Sequence, residues 1–386
     1  MSDIHPTVEI TQALVRIPSE NPHTPEQGVS NYVADWFRSA GNIEVKCYEV
    51  QPGRTNVVGR VRSDSGAPPL AILAHMDTVP VGKGWTYDPF GGDIADGRLY
   101  GRGSCDMKAG LAVGMAVLRE ASRASATLKR DLLVCATVDE EGTHMLGGAD
   151  LIDQGILDKD SLVIATEPTD LNVVTAHKGL VWMEVIVEGR LAHAGHAHLG
   201  VDAVRAGAEF ITLMQRTIAA LPHRHDLLGP PTVTFSGIQG GIKTNVVPNY
   251  ARLELDIRLT PPMTTEQVHR LAQGCAREIE SLIPGARFTL NQFSSERPPV
   301  QADSGTELLA ALHHAVADVS QAAPLAAGSV AYTDAAVLQA RTGNATALVF
   351  GPGSMTRAHT LDEYVPVEEI IKAEAVLSRC VRQLCF

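Results

Sequence analysis

The chain has 386 residues, 45% hydrophobic and 20% charged, with 44 acidic against 32 basic side chains and a formal net charge of −12. That length exceeds one ordinary core, so two domains are expected, and the composition is that of a folded globular protein rather than a disordered one. The acidic balance supplies no basic face for nucleic acid or an anionic membrane, and no apolar run approaches the ~18 residues that cross a bilayer.

In chain order, the N-terminal "MSDIHPTVEITQALVRIPSENP" carries neither a cationic n-region nor an apolar h-region, so a cytoplasmic protein without a secretory signal is expected. The cysteines Cys47, Cys105, Cys135, Cys275, Cys380 and Cys385 form no C-x-x-C pair and read as free thiols in a reducing compartment. A short buried strand is expected at 70–74, then a helix over 107–121. Strands follow at 132–138 and 162–165, with a short helix beginning at 149 between them. This rhythm predicts an α/β layer with a mostly parallel sheet. The pattern changes near Lys178, where 181–188 alternates like a half-exposed antiparallel strand. A helix over 201–221, strands at 232–239 and 251–260, a helix over 265–283 and a strand at 287–291 complete a split β-α-β-β-α-β unit of ferredoxin-like type. After "SSERPPV" the α/β character resumes, with helices at 305–319 and 333–340 and a strand at 345–350. The expected organisation is one α/β domain made of 1–177 and 293–386, interrupted by an inserted α+β domain at 178–292.

Acidic charge concentrates in "TVDEEGTH", where Asp139, Glu140 and Glu141 follow an apolar run with no lysine or arginine nearer along the chain than Arg130. Like charges crowded at the end of a buried strand are costly unless something positive sits there. On an extended chain Asp139 and Glu141 face one way and Glu140 the other. "AHMDTVP" (His75, Asp77), "GRGSCDMKAG" (Asp106), "ATEPT" (Glu167) and "GPGSMTRAHTLDEY" (His359) likewise lie at or after the carboxyl ends of expected strands. Open α/β sheets bind ligands along that edge. Each residue alone has a plainer reading: Asp106 as a helix N-cap, Glu167 as a solvated loop residue, His75 as a core histidine, the three acids as a loop tip. Jointly, two histidines and several carboxylates at one sheet edge match the nitrogen and oxygen ligands of a zinc-like site.

These motifs, with "VDEEG", "ATEPTDLNVVTAHKG", "LAHAGHAHLGVDA", "GGIKTNVVPNYARLELDIR" and "LAILAHMDTVPVGKGWTYDPFGGDIADGRLYGRGSCDMKAGLA", resemble the acetylornithine deacetylase / succinyl-diaminopimelate desuccinylase family. That family belongs to the dizinc aminoacylases and carboxypeptidases, and the resemblance spans almost the whole chain. It implies two divalent metal ions, Zn²⁺ foremost, with Co²⁺ or Mn²⁺ as substitutes. It implies Asp106 as the bridge, His75 and Glu167 on one ion, Glu141 and His359 on the other, Glu140 as general base and Asp77 behind His75. The physics agrees: two ions roughly 3.5–4 Å apart need a bridging anionic oxygen. An uncoordinated glutamate can shuttle protons where a coordinated one cannot. Asp77 can accept the second N–H of His75 and fix its tautomer. Asp139 is read as a hydrogen-bonding support.

In the inserted domain the resemblance implies that His193 ("AHAG") polarises the scissile carbonyl, from a partner subunit in dimeric members, with Asn245 ("KTNVVP") beside it. Arg258 ("DIR") would grip a substrate carboxylate. From the residues alone, Arg258 reads first as an exposed strand charge, and His193 is as readily a satisfied loop histidine. His196 and His198 depart from the residue types usual in the family, so both a substrate contact and a plain loop role stay open. His144 reads as a loop residue, and Lys178 either meets substrate or lies at the surface. Gly351, Pro352 and Gly353 are expected to shape the turn that presents His359. The implied function is a metal-dependent amidohydrolase that removes an N-acyl group from a small amino-acid derivative with a free carboxylate. A carboxypeptidase or dipeptidase is the alternative, as is succinyl-diaminopimelate desuccinylase, although "GSVAYTDAAVL" stands where a glycine-rich stretch is expected. A non-catalytic binding protein would lack a ligand or the base, and neither is missing. The implied partners are a small-molecule substrate and a second copy, as a homodimer through the inserted domain.

Overall fold

Leu70–His75 and Leu132–Thr137 are buried along their whole length, as strands of a parallel sheet covered on both faces must be. The structure, a computed structural model, describes residues 4–124 and 127–386. These two strands pair in parallel, Leu162–Ala165 joins Leu70–His75 in parallel, and Leu348–Val349 joins Leu162–Ala165 in parallel. Antiparallel strands flank this centre: Arg54–Val61 lies against Leu132–Thr137 with Glu44–Gln51 outside it, and Val173–His177 meets Leu348–Val349. Alternation sends Leu70, Ile72, Ala74, Val134 and Ala136 into one core. Helices Pro6–Val15, Gln27–Ser39, Ala109–Arg123, Glu307–Ser320 and Val367–Cys385 complete it. Ala71, Leu73, Leu133 and Cys135 face a smaller core under Leu146–Asp153 and Asp334–Thr342. The fold is α/β with a mostly parallel central sheet.

Three local expectations are corrected. The helix expected from 107 begins at Ala109, because Asp106 (φ −121°, ψ 97°) and Met107 (φ −132°, ψ 35°) are not helical. Asp106 is therefore not an N-cap. The strand expected over 345–350 shrinks to Leu348–Val349. Its missing start is a turn in which the Asn344 carboxamide oxygen accepts the N–H groups of Thr346 and Ala347. The short helix begins at Leu146 rather than 149. All six cysteines are free thiols.

The chain divides into two units: Met1–Thr175 with Gln301–Ala327 and Thr333–Phe386, and Ala176–Val300 with Gly328–Tyr332. In the second unit, strands Thr232–Gly240, Tyr250–Leu259, Gly179–Glu188 and Arg287–Gln292 form an antiparallel sheet in that order. One face buries Val181, Met183, Val185, Val187, Leu253, Leu255 and Ile257 under helices Ala203–Ala219 and Thr265–Leu282. Asp202 caps the first helix, and a Thr264–Gln267 capping box starts the second. Trp182 and Asp256 face each other across the sheet, as do Leu180 and Arg258. Among the described residues no helix is long and apolar enough to cross a membrane.

Candidate metal centre and active site

Four parallel strands deliver the chemistry from their carboxyl ends. His75 is the last residue of its strand, the acids follow Thr137, Glu167 follows Ala165, and His359 follows Val349 after a turn. The turn lies tight against the strand that carries Glu167. A Cβ on Gly351 would come within 2.4 Å of the Thr166 carbonyl oxygen and 2.5 Å of that of Glu167, so only glycine fits.

The side chains form two groups that share Asp106: His75, Asp106 and Glu167, and Asp106, Glu141 and His359, with one ligand atom from each residue within 4.8 Å of the others. Asp106 turns Oδ1 toward His75 Nε2 (3.1 Å) and Oδ2 toward His359 Nε2 (3.3 Å). Glu167 Oε2 stands 3.7 Å from His75 Nε2, and Glu141 Oε1 accepts from His359 Nε2 at 2.7 Å. Glu140 belongs to neither group, yet its Oε2 lies 3.9 Å from His75 Nε2. Imidazole nitrogen and carboxylate oxygen are the donors divalent ions of the zinc type accept, so the residues present fit such ions.

His75 Nδ1 donates to the main-chain carbonyl of Asp77 at 2.9 Å. A carbonyl can only accept, so Nδ1 carries a proton and Nε2 is the nitrogen left for a ligand. The expected carboxylate contact is the weaker one, since Asp77 Oδ1 is 3.6 Å from Nδ1. Asp77 instead spends its carboxylate on the acidic loop, accepting the N–H groups of Glu140 and Glu141 at 3.1 Å each and the Asn21 side chain at 2.9 Å.

The extended-chain picture of the three acids is also corrected. The strand stops at Thr137, and Asp139 has a left-handed backbone (φ 60°). The chain turns, and Glu140 and Glu141 both reach the cluster, on different partners. Asp139 points elsewhere: Oδ1 accepts from Asn21 Nδ2 (2.9 Å) and lies 3.3 Å from Arg54 Nη1, which also binds Glu26 at 2.7 Å. The Asp139 N–H donates to Glu26 Oε1 at 3.0 Å. Asn21, Glu26 and Arg54 thus brace the acidic loop from behind, and sequence reading did not single them out.

The electrostatics fit a cation site. Burial, aided by neighbouring carboxylates, holds the Glu140 carboxyl well above its ordinary value and also raises Glu141; it pushes Glu167 up to about 7. Burial works against charge on Asp106, but hydrogen bonds from His359 and His75 hold its carboxylate below the usual range. Hydrogen bonds to Asp106 and Glu141 raise His359 to about 10. His75 is disfavoured as a cation by burial, yet Glu167 and Asp106 outweigh this and hold it well above an ordinary histidine. Such buried, mutually repelling acids are characteristic of sites that hold positive charge.

The model of peptidase family M20/M25/M40 matches residues 71–383. The chain belongs to peptidase family M20/M25/M40. It is 30% identical over 385 residues to a probable succinyl-diaminopimelate desuccinylase of Staphylococcus epidermidis, covering 93% of this chain and 92% of that one. It is 33% identical over 328 residues to an acetylornithine deacetylase of Myxococcus xanthus, covering 84% of this chain and 82% of the relative. An M20 family metallo-carboxypeptidase from Sulfolobus solfataricus shares the fold, with a TM-score of 0.81 at 17% identity over 98% of this chain and 99% of that one. The M20-family chain is accordingly a hydrolase of amide bonds.

The remaining site candidates of this M20 chain lie in the second unit. His193 and Asn245 sit together on a short ribbon, where Ala192–His193 pairs with Val246–Val247 and the Ala194 N–H donates to the Asn245 carbonyl at 3.0 Å. The Gly195 N–H donates to His193 Nδ1 at 3.0 Å. A neutral His193 therefore carries its proton on Nε2 and presents a donor. Arg258 is engaged by Asp256, Nε to Oδ1 at 2.7 Å and Nη2 to Oδ2 at 2.9 Å, with Nη1 on the Val330 carbonyl at 3.0 Å. It is not a free strand charge. Lys178 is buried rather than superficial, its Nζ donating to the Pro230 carbonyl at 2.7 Å. His196 and His198 are exposed, their rings 6.2 Å apart, and belong to neither ligand group. His144 is an exposed loop residue.

Proposed function

We propose that this chain removes the N-acyl group from a small amino-acid derivative bearing a free carboxylate. The ligands are His75, Asp106 and Glu167 for one divalent ion and Asp106, Glu141 and His359 for a second, with zinc the preferred ion and cobalt or manganese as substitutes. The observation that carries this reading is Asp106, which offers one carboxylate oxygen to each histidine while Glu140 stands beside His75 and belongs to neither group.

Two such ions supply Lewis acidity and a water of lowered pKa at neutral pH. Glu140 takes a proton from the attacking water and returns it to the leaving amine, so the acyl carbon gains an oxygen as the C–N bond breaks. Asp77 fixes the Glu140 and Glu141 backbone through its two N–H contacts. His193, with its Nε2–H, donates to the oxyanion that develops on the acyl oxygen, and Asn245 assists it. Arg258 binds the substrate carboxylate through donors that Asp256 and Val330 leave free, with Lys178 near it on the same unit. We also propose a cytoplasmic homodimer through the inserted unit, with His193 acting across it. The names of the two relatives, a desuccinylase and a deacetylase, support N-acyl amino acids over peptides as substrates.

The test is product release from a panel of N-acetyl, N-succinyl, N-formyl and N-carbamoyl amino acids together with dipeptides. Faster turnover of an N-acyl amino acid than of every dipeptide is the expected result. Preference for dipeptides would replace this reading with a carboxypeptidase or dipeptidase.

A further inference from the structure

Glu363 follows His359 by four residues and is fully buried, yet it belongs to neither ligand group. Its Oε1 accepts two consecutive main-chain N–H groups, those of Cys105 (2.9 Å) and Asp106 (3.1 Å). Its Oε2 accepts from Arg102 Nη1, and Arg102 is itself held by the Pro80 carbonyl and lies 5.1 Å over the Trp85 ring. The Glu363 carbonyl accepts the Gly101 N–H at 2.9 Å and the Ser104 hydroxyl at 3.3 Å. Immediately beyond, Tyr364–Pro366 pairs with Arg98–Tyr100. The segment that brings His359 is thus stitched, through one carboxylate, to the turn that brings Asp106.

We propose that Glu363 is a positioning residue that sets the spacing of Asp106 and His359, and so governs ion occupancy of the Asp106/Glu141/His359 group more than that of the His75/Asp106/Glu167 group. The asymmetry follows from how each ligand is anchored. His75 ends a fully buried strand, and Glu167 follows another directly. His359 has a left-handed backbone (φ 62°) in a loop, and its side chain is 45% exposed. Without Glu363 the first group loses the anchor of one ligand, the shared Asp106, whereas the second loses the anchor of two. Arg102, itself buried, offsets only part of the cost of burying this carboxylate, so the pair holds geometry rather than adding stability of its own.

This inference rests on the two-ion reading, and the experiment separates the two. Zinc is titrated into chelated full-length protein by calorimetry, with ion content checked by elemental analysis after dialysis, for the wild type and Glu363→Gln. The wild type is expected to take up two ions. In Glu363→Gln the tighter ion should bind within about threefold of wild type and the weaker one about 10–100-fold less tightly, the range seen when a residue that orients a ligand is lost. Equal weakening of both ions, or no weakening, overturns the role of Glu363. A wild type that fails to take up two ions overturns the two-ion reading instead. If Glu363→Gln does not fold, Glu363→Asp, which keeps the charge opposite Arg102, is titrated in the same way and judged by the same outcomes.

Discussion

The α/β unit and the inserted unit treat charge in opposite ways, the first burying an excess of one sign and the second pairing partly exposed charges. In the inserted unit the charges are already matched: Arg258 closes a two-bond fork on Asp256, and Arg252 pairs with Glu184 and Glu254. In the α/β unit Glu140, Glu141 and Glu167 crowd together, with His75 and His359 as the cationic side chains that touch the cluster. Arg54, the guanidinium nearest the loop, is spent on Asp139 and Glu26. Matched charge marks architecture, and a buried excess of one sign marks where a ligand of the other sign belongs.

The largest break in that comparison should come from Glu140, which stands beside His75 yet belongs to neither ligand group. Glu140→Ala should lower kcat by about 10²–10⁴-fold while ion content stays that of the wild type. Loss of an ion along with activity would make Glu140 a ligand. In the inserted unit, His193→Ala should reduce kcat by about 10²–10³-fold with unchanged ion content, as expected for removal of an oxyanion donor. An effect confined to KM would assign it to substrate binding. Arg258→Met should raise KM for a carboxylate substrate about 10–100-fold and leave kcat nearly untouched, since one charge-assisted contact made equally in ground and transition states is lost. An equal response from the substrate's carboxamide analogue would show that Arg258 serves only to hold Asp256.

The smallest effect concerns Asp334, a buried acid under the acidic loop. Its Oδ2 accepts the Thr137 hydroxyl at 2.7 Å, and among the described residues its Oδ1 has no partner. Burial raises its carboxyl from an ordinary 3.8 to about 6. The folded chain keeps this proton up to about pH 6, whereas the unfolded chain releases it near pH 4. Stability from this group is therefore greatest at the acid end and is lost as pH rises through 6. Asp334→Asn removes that slope, so in chelated protein the variant should gain about 1–3 kcal/mol on the wild type between pH 4 and pH 7. Thermal unfolding curves that run parallel over this interval would show that Asp334 is ionised throughout.

Much of the α/β unit is legible because buried strands and ligand-bearing loops leave different marks. The expected strand at 70–74 falls within a residue of Leu70–His75, and the acids, His75 and Glu167 all stand where apolar runs end. Arg54, Asn21 and Glu26 escape notice because their place behind the acids exists only once Arg54–Val61 pairs with Leu132–Thr137. The left-handed turn at Asp139 defeats simple alternation, which holds only while the chain is extended. The Asp256–Arg258 fork was within reach: residues two apart on a strand share a face, and "LDIR" places opposite charges at that spacing. Glu363 carries no such signal, since its partners are main-chain N–H groups 257 and 258 positions away.

Gly351 gives the comparison a different use. It offers no side chain, charge or donor to the chemistry, yet the space for its Cβ is filled by the carbonyl oxygens of Thr166 and Glu167. In a selection that scores every substitution by activity, this position should tolerate as little as a metal ligand does. Alanine there would be rejected for volume, and adding ions to the medium would not restore it. A tolerance map read for chemistry alone would enrol Gly351 among the ligands; read with the packing, it marks the wall against which the His359 turn is set.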